Sequence, residues 1–269
     1  MDRSVVEELE SIVGKDHVIT RREQMLNYVV DESPALLRPR PADDLVLVRP
    51  VNPQQVSALL RVVNKRGVPV YPRGGGTGLV GGAIPTQDGI ILSLERMNRV
   101  EVDKNNFMAI AEAGVTLGEL AKAADDVGLS FPPHPGDESA QVGGLVATNA
   151  GGSRAVRHGV MRNHVRAIQA VLASGEILSL GGRIHKNNVG YDLMQLIVGS
   201  EGTLAVITQV TLQLYPKSEA TMTLILPYDN RRDALASVPK ILREAGTRLA
   251  VEYVERDLVE RTAKHVAAH

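Results

Sequence analysis

The 269-residue sequence predicts an α+β protein, and three observations predict it. A β-α-β pattern runs over residues 45–71, short aliphatic strands interrupted by two helices fill residues 90–214, and a second β-α-β pattern begins near residue 220. A chain of this length supports two compact units or one elaborated one, with a sizeable core.

The first element is an amphipathic helix with Val5, Val6, Leu9, Ile12 and Val13 at helical spacing. A polar stretch bearing Pro34, Pro39 and Pro41 follows, so residues 1–44 read as an N-terminal helical arm on the main body. Residues 45–48 (LVLV) are a strand. Asn52 and Pro53 then supply an N-cap and a proline at the first helical position, and Val56, Leu59, Leu60, Val62 and Val63 continue a helix that Gly67 stops. Residues 68–71 form the next strand. Further strands are expected at 90–94, 100–102, 108–113, 165–173, 177–180 and 204–214, each bounded by Gly, Asn or Asp. Thr116, with Glu119 three residues on, forms a capping box for a helix that Gly128 ends, and a shorter helix is expected over 191–198. In the tail, strands at 222–226 and 249–253 flank a helix over 232–244, and a charged helix follows. Two strands make a sheet too small to be stable alone. Residues 217–269 therefore read as the start of an incomplete α+β unit, whose open edge and apolar face call for a partner subunit or a homodimer.

Composition removes several functions. Lys and Arg number 30 against 31 Asp and Glu, a net charge of -1, so the basic excess that nucleic-acid binding uses is absent. Aromatic residues are 3 %, which also removes the stacking platforms of single-strand binders. With no cysteine there are no disulfides, thiolate nucleophiles or Cys-ligated metals. No apolar run approaches the roughly eighteen residues of a membrane span. The expected protein is soluble and cytoplasmic, with a peripheral position at the inner membrane as the alternative.

The chemistry lies in three glycine-rich stretches. The first, PRGGGTGLVGGA over residues 72–83, follows a strand directly, and its backbone N–H groups are unshielded by any Cβ, so the loop can wrap a pyrophosphate. Arg73 can add charge and Thr77 a hydroxyl donor. The loop also fits the G-x-G-x-x-G pattern of a Rossmann fold, but Gly82, Pro85 and Gly89 break the helix that such a fingerprint must open. A plain turn between strands is the bland alternative. The second stretch, FPPHPGDESAQVGGLVATNAGGSRAVRHG over 131–159, sets two Gly-Gly pairs among Ser139, Thr148, Asn149 and Ser153, short polar groups suited to a heterocycle or a ribityl chain. Close helix packing is its bland alternative. The third, GSEGTLAVIT over 199–208, runs into a strand. Together they suggest a long dinucleotide threaded through the protein.

In this order the three motifs resemble the FAD-binding (PCMH-type) domain of the vanillyl-alcohol-oxidase superfamily, and within it the branch of the glycolate oxidase subunit GlcD and D-lactate dehydrogenase. The resemblance covers residues 45–216. It implies a two-subdomain fold, about 45–100 and 101–216, with FAD extended between the halves, and oxidation of a small-molecule D-2-hydroxy acid by hydride transfer to the flavin N5. Carried over by matching positions, Arg73, Gly74, Gly75, Gly76, Thr77, Gly78 and Leu79 would hold the pyrophosphate. Pro135, Gly136, Asp137, Ser139, Gly143, Gly144, Thr148, Asn149 and Gly151 would line the flavin, and Glu201, Gly202 and Ile207 would support it and the ribityl chain. Members that attach FAD covalently carry a histidine in the phosphate loop; none lies between Arg73 and Gly82, which implies non-covalent FAD. Ala205 stands where the family has glycine. Family enzymes continue into a substrate domain with an HxGDGNxH-type metal motif that this chain does not contain.

No residue stands out as the catalytic base. His134 and His158 lie in flavin-lining motifs, where a loop or packing role explains them as well. His265 and His269 have the i,i+4 spacing of a metal pair at the end of the sequence, and His17, His164 and His185 read as surface or capping residues. Lys186 and Asn187 fit an ordinary turn. A cofactor module that needs a partner or a further domain for turnover is the alternative to an active enzyme.

Overall fold

The computed structural model describes residues 1–246 and 248–267. Its elements are α1 (Arg3–Val13), β1 (Val18–Ile19), β2 (Leu45–Val48), α2 (Pro53–Arg66), β3 (Val70–Arg73), β4 (Gly89–Ser93), β5 (Val100–Asp103), β6 (Met108–Glu112), α3 (Leu117–Asp125) and β7 (Leu129–Ser130). They continue with α4 (Val142–Ala147), α5 (Ala155–His158), β8 (Val165–Leu172), β9 (Ile177–Gly181), α6 (Met194–Ile197), β10 (Ala205–Gln213), β11 (Tyr215–Pro216), α7 (Arg231–Ala245) and α8 (Arg256–Ala267).

Two sheets carry the α+β body. The first has the order β1-β2-β4-β3, with β2, β4 and β3 parallel and β1 antiparallel. The second, β5-β6-β10-β8-β9, is antiparallel throughout. Local chemistry explains α2: the Asn52 side chain accepts from the Gln55 N–H, Pro53 opens the first turn, and Gly67 closes the last. Its buried Val56, Leu59, Leu60 and Val63 join Val46, Val48, Ile90 and Leu92 in the core of the first sheet. Burying each such side chain contributes roughly 1.5–3 kcal/mol. The capping box of Thr116 and Glu119 on α3 is formed in both directions. Helix α2 joins β2 to β3, yet those strands are not neighbours, because β4 enters between them. This leaves β3 on an edge, where Pro72 is tolerated since no ladder needs its missing N–H.

Residues 1–44 pack onto the main body: Val5, Leu9 and Val13 of α1 and Val18 of β1 belong to the first sheet's core, because that side of α2 and β2 is apolar and needs a cover. Two expectations need correction. The helix expected over 191–198 shrinks to α6, since Tyr191, Asp192 and Leu193 are exposed and bury no face. In the tail α7 and α8 form, but the strands expected at 222–226 and 249–253 do not. Met222, Leu224 and Ile225 stay exposed, and without a neighbouring strand an apolar run has no ladder to satisfy its backbone.

Candidate functional site

A cleft of some 1250 Å³, solvent at its mouth included, opens where the two sheets meet. One wall is the loop after β3. Among the described residues, none of the backbone N–H groups of residues 74–82 donates to another protein group, so this run of amides is left for a ligand or solvent. The facing wall is α4 and the residues before it, and the start of β10 contributes Ala205, Val206 and Ile207.

Of the residues singled out from sequence, Arg73, Gly74, Gly75, Gly76, Thr77, Gly78, Pro135, Asp137, Gly143, Gly144, Thr148, Glu201, Gly202 and Ile207 line this one cleft. Five do not. Leu79 and Gly136 are exposed outside the lining, and Gly151 packs near Val160. Ser139 turns its N–H and hydroxyl back to Asp137 Oδ1 at 2.7 Å, and Asn149 Oδ1 accepts from the Arg162 N–H at 2.9 Å. The Ser139 side chain serves its own turn and the Asn149 side chain a segment thirteen residues on, instead of the cleft. Val80 and Ala83 of the same glycine-rich loop also line it, as do Leu94 and Ala113, which nothing local in the sequence marks: they follow strands whose pairing brings them there.

The glycines divide by what surrounds them. A Cβ on Gly143 would come within 2.6 Å of Ala113 Cβ, so this glycine lets α4 pack on the second sheet. A Cβ on the next residue, Gly144, would meet nothing within 4 Å, because Gly144 faces the cleft. On the loop, Gly75 lies against the Ser139 carbonyl, 2.9 Å from where a Cβ would be. Gly76 has φ +74°, and a Cβ there would overlap the Arg73 guanidinium.

Arg73 therefore works differently from a surface phosphate clamp. Its side chain is 5 % exposed and lies beneath Gly76, and Nη2 donates to the Asn27 carbonyl at 2.8 Å. Burial pushes the guanidinium below the usual arginine range, with the charges of Asp31 and Tyr28 pulling it back. Across the cleft, Gln141 presents a buried Oε1 with no hydrogen-bond partner. An unpaired acceptor, a row of free amides and an open space at Gly144 fit a polar, anionic, flat ligand, and they fit the pyrophosphate and ring of FAD.

Among the described residues, no histidine lines the cleft. His134 Nε2 lies 3.6 Å from Glu138 Oε1. His164, expected at the surface, is 0 % exposed: it stacks edge-on to Phe131 and Tyr215, and its Nε2 donates to the His158 carbonyl at 2.9 Å. Burial pushes its pKa down to about 4. His185 Nδ1 sits 3.1 Å from Gln213 Oε1, Lys186 and Asn187 are exposed, and the partner expected for His265, His269, lies outside the described residues. Among the described residues no His, Asp and Glu cluster is set to hold a metal, and no helix is long and apolar enough to cross a membrane.

Comparison with known proteins agrees with this geometry. A family model described as FAD binding domain matches residues 45–181. The chain is 50 % identical to a D-lactate dehydrogenase of Archaeoglobus fulgidus, over 87 % of this chain and 52 % of that protein. It is 33 % identical to the glycolate oxidase subunit GlcD of Bacillus subtilis, over 94 % of this chain and 54 % of that one. The chain thus spans about half the length of these relatives. Among solved structures, alkyldihydroxyacetonephosphate synthase shares the fold with a TM-score of 0.70 at 23 % identity, over 82 % of this chain and 42 % of that one.

Proposed function

The chain belongs to the FAD binding domain family, and from that premise we propose that it is the cofactor-holding part of a flavin-dependent oxidoreductase acting on D-2-hydroxy acids of the D-lactate and glycolate class. One observation carries the reading: the free amides of residues 74–78, the open face of Gly144 and the unpaired Gln141 Oε1 converge on a single cleft. The loop amides bind the pyrophosphate, and the Thr77 hydroxyl adds a donor. Pro135, Asp137, Gln141, Gly144 and Thr148 line the flavin on one side, and Glu201 and Gly202 of the turn before β10 and Ile207 of β10 support it. FAD, when bound, supplies the two-electron acceptor for the substrate's Cα–H. The attachment is non-covalent, since no histidine among the described residues lines the cleft and the chain has no cysteine. The substrate class is supported by the names of the relatives, D-lactate dehydrogenase and glycolate oxidase subunit GlcD.

A specific observation favours a second reading, in which the chain holds the cofactor without turning over by itself. The titratable residues lining the cleft are Arg73, Asp137 and Glu201, with no histidine or lysine among them. Oxidation of a hydroxy acid needs a base at the hydroxyl and a cation for the carboxylate, and their positioning supplies several kcal/mol of the barrier. The test separates the two readings. The purified chain, incubated with FAD and desalted, should be yellow and should release all its flavin into the supernatant on acid precipitation. A chain that takes up no FAD ends the cofactor proposal. Anaerobic bleaching by D-lactate, glycolate or D-2-hydroxyglutarate marks the active enzyme, and an unbleached flavin marks the module.

A further inference from the structure

The segment before the matched region grips the loop that walls the cleft. It lies outside residues 45–181, and its contacts with the loop are specific. The Asn27 carbonyl accepts from Arg73 Nη2 at 2.8 Å, and the Glu32 N–H donates to the Gly78 carbonyl at 3.0 Å. Pro39 packs where a Cβ of Gly81 would be. Tyr28 is tied in turn to the end of β4 by its hydroxyl, which donates to Glu95 at 2.8 Å.

At the centre is Asp31. Its side chain is 5 % exposed, and Oδ1 is occupied by the Ser33 N–H at 3.0 Å and the Ser33 hydroxyl at 2.5 Å. Its Oδ2 is buried with no hydrogen-bond partner, as is Nη1 of the buried Arg73. A guanidinium held out of water is stabilised by a nearby anion, and the Asp31 carboxylate supplies that charge through space, the two groups forming no ion pair within 4.0 Å. Arg73 lies directly under the arch of the loop at Gly76, while Asp31 Oδ2 is 3.9 Å from where a Cβ of Gly78 would be. The carboxylate thus lies beside the loop's descending limb, and its charge acts on the cation below the arch.

We propose that Asp31 is a positioning residue of the cofactor site: acting through Arg73 and alongside the Glu32–Gly78 bond, it holds the loop of residues 74–78 in the shape that presents its amides to a pyrophosphate. The proposal rests on the FAD reading above, and it assigns to the N-terminal segment a part in binding. Asp31→Asn keeps the acceptor that Ser33 uses and removes the charge. The double variant Asp31→Asn with Arg73→Gln removes both charges, so no buried ion is left alone even if the single variant folds poorly.

The experiment measures FAD affinity by fluorescence quenching, ADP affinity by displacement of FAD, and thermal unfolding without ligand. ADP carries the pyrophosphate and lacks the flavin. The expected result is a loss of tenfold or more for both FAD and ADP in Asp31→Asn, with ligand-free unfolding within a few degrees of the parent. The double variant should be equally weak. FAD affinity within twofold of the parent in either variant overturns the proposal, as does a loss of FAD affinity with ADP binding unchanged, which would move the effect away from the pyrophosphate loop. A parent chain that binds no FAD overturns the cofactor reading together with this one, whereas normal parent binding and an indifferent Asp31→Asn overturns this one alone.

Discussion

The two glycine-rich walls of the cleft look alike in composition and use glycine for different purposes. On the loop of residues 74–82 the missing side chains free the backbone: the amides are unpaired, and Gly76 takes a φ of +74° over the Arg73 guanidinium. On the facing stretch the missing side chains mostly allow close packing, at Gly143 on Ala113 and, beyond the cleft, at Gly152 on the His134 carbonyl, while at Gly144 an added Cβ would meet nothing. The comparison teaches that a glycine count marks where a ligand site can be, while neighbours decide which glycine serves it.

The contrast can be broken most severely at the loop. Gly76→Val should abolish FAD binding, since the left-handed conformation costs a side chain about 1–2 kcal/mol and the added Cβ overlaps the buried guanidinium that supports the arch. Equilibrium titration with FAD checks it, and stoichiometric binding by the variant would place the pyrophosphate elsewhere.

Acid should test the second glycine-rich stretch, because the buried His164 packs on its Phe131 and bonds its His158 carbonyl. Its pKa in the folded protein is pushed down to about 4 from 6.5, so the unfolded chain binds the extra proton first. Stability is full above about pH 6.5 and falls as the pH drops toward 4, by about 3 kcal/mol. Denaturant midpoints measured from pH 7 to pH 4 should show this slope, and His164→Gln should flatten it.

Within the second wall, adjacent substitutions should separate packing from binding. Gly143→Val should destabilise the ligand-free protein by about 1–3 kcal/mol through overpacking against Ala113. Gly144→Val should leave the ligand-free unfolding temperature near the parent's and weaken FAD by tenfold or more, about 1.4 kcal/mol. If Gly144→Val loses its fold without FAD, the packing reading applies to both glycines and the contrast disappears.

Parts of the molecule were legible because their causes are local. Asn52, Pro53 and Gly67 mark both ends of α2, and Thr116 with Glu119 marks the start of α3. The run at 45–48 forms a strand as expected, with β1 and β4 pairing its two edges. The run at 222–226 has a similar apolar character and stays unpaired and exposed, for a strand is completed by its neighbours. The site followed the same division. The loop of residues 74–78 and Gly144 were marked by the glycine motifs, whereas Leu94 and Ala113 arrive at the cleft through strand pairing that no local pattern announces.

What the sequence determined by itself was the set of backbones permitted to come close or to turn left-handed, because a missing Cβ is a property of the residue alone. Which atom then occupies the space is a matter of contacts between distant segments. Only the tertiary structure decided that Arg73 goes under Gly76 instead of into solvent, that the charge of Asp31, more than forty residues earlier, acts on it, and that His164 enters the core. The physical reason is that a buried charge or imidazole depends on the groups that surround it, and those are brought together by the packing of the two sheets and the segment before them.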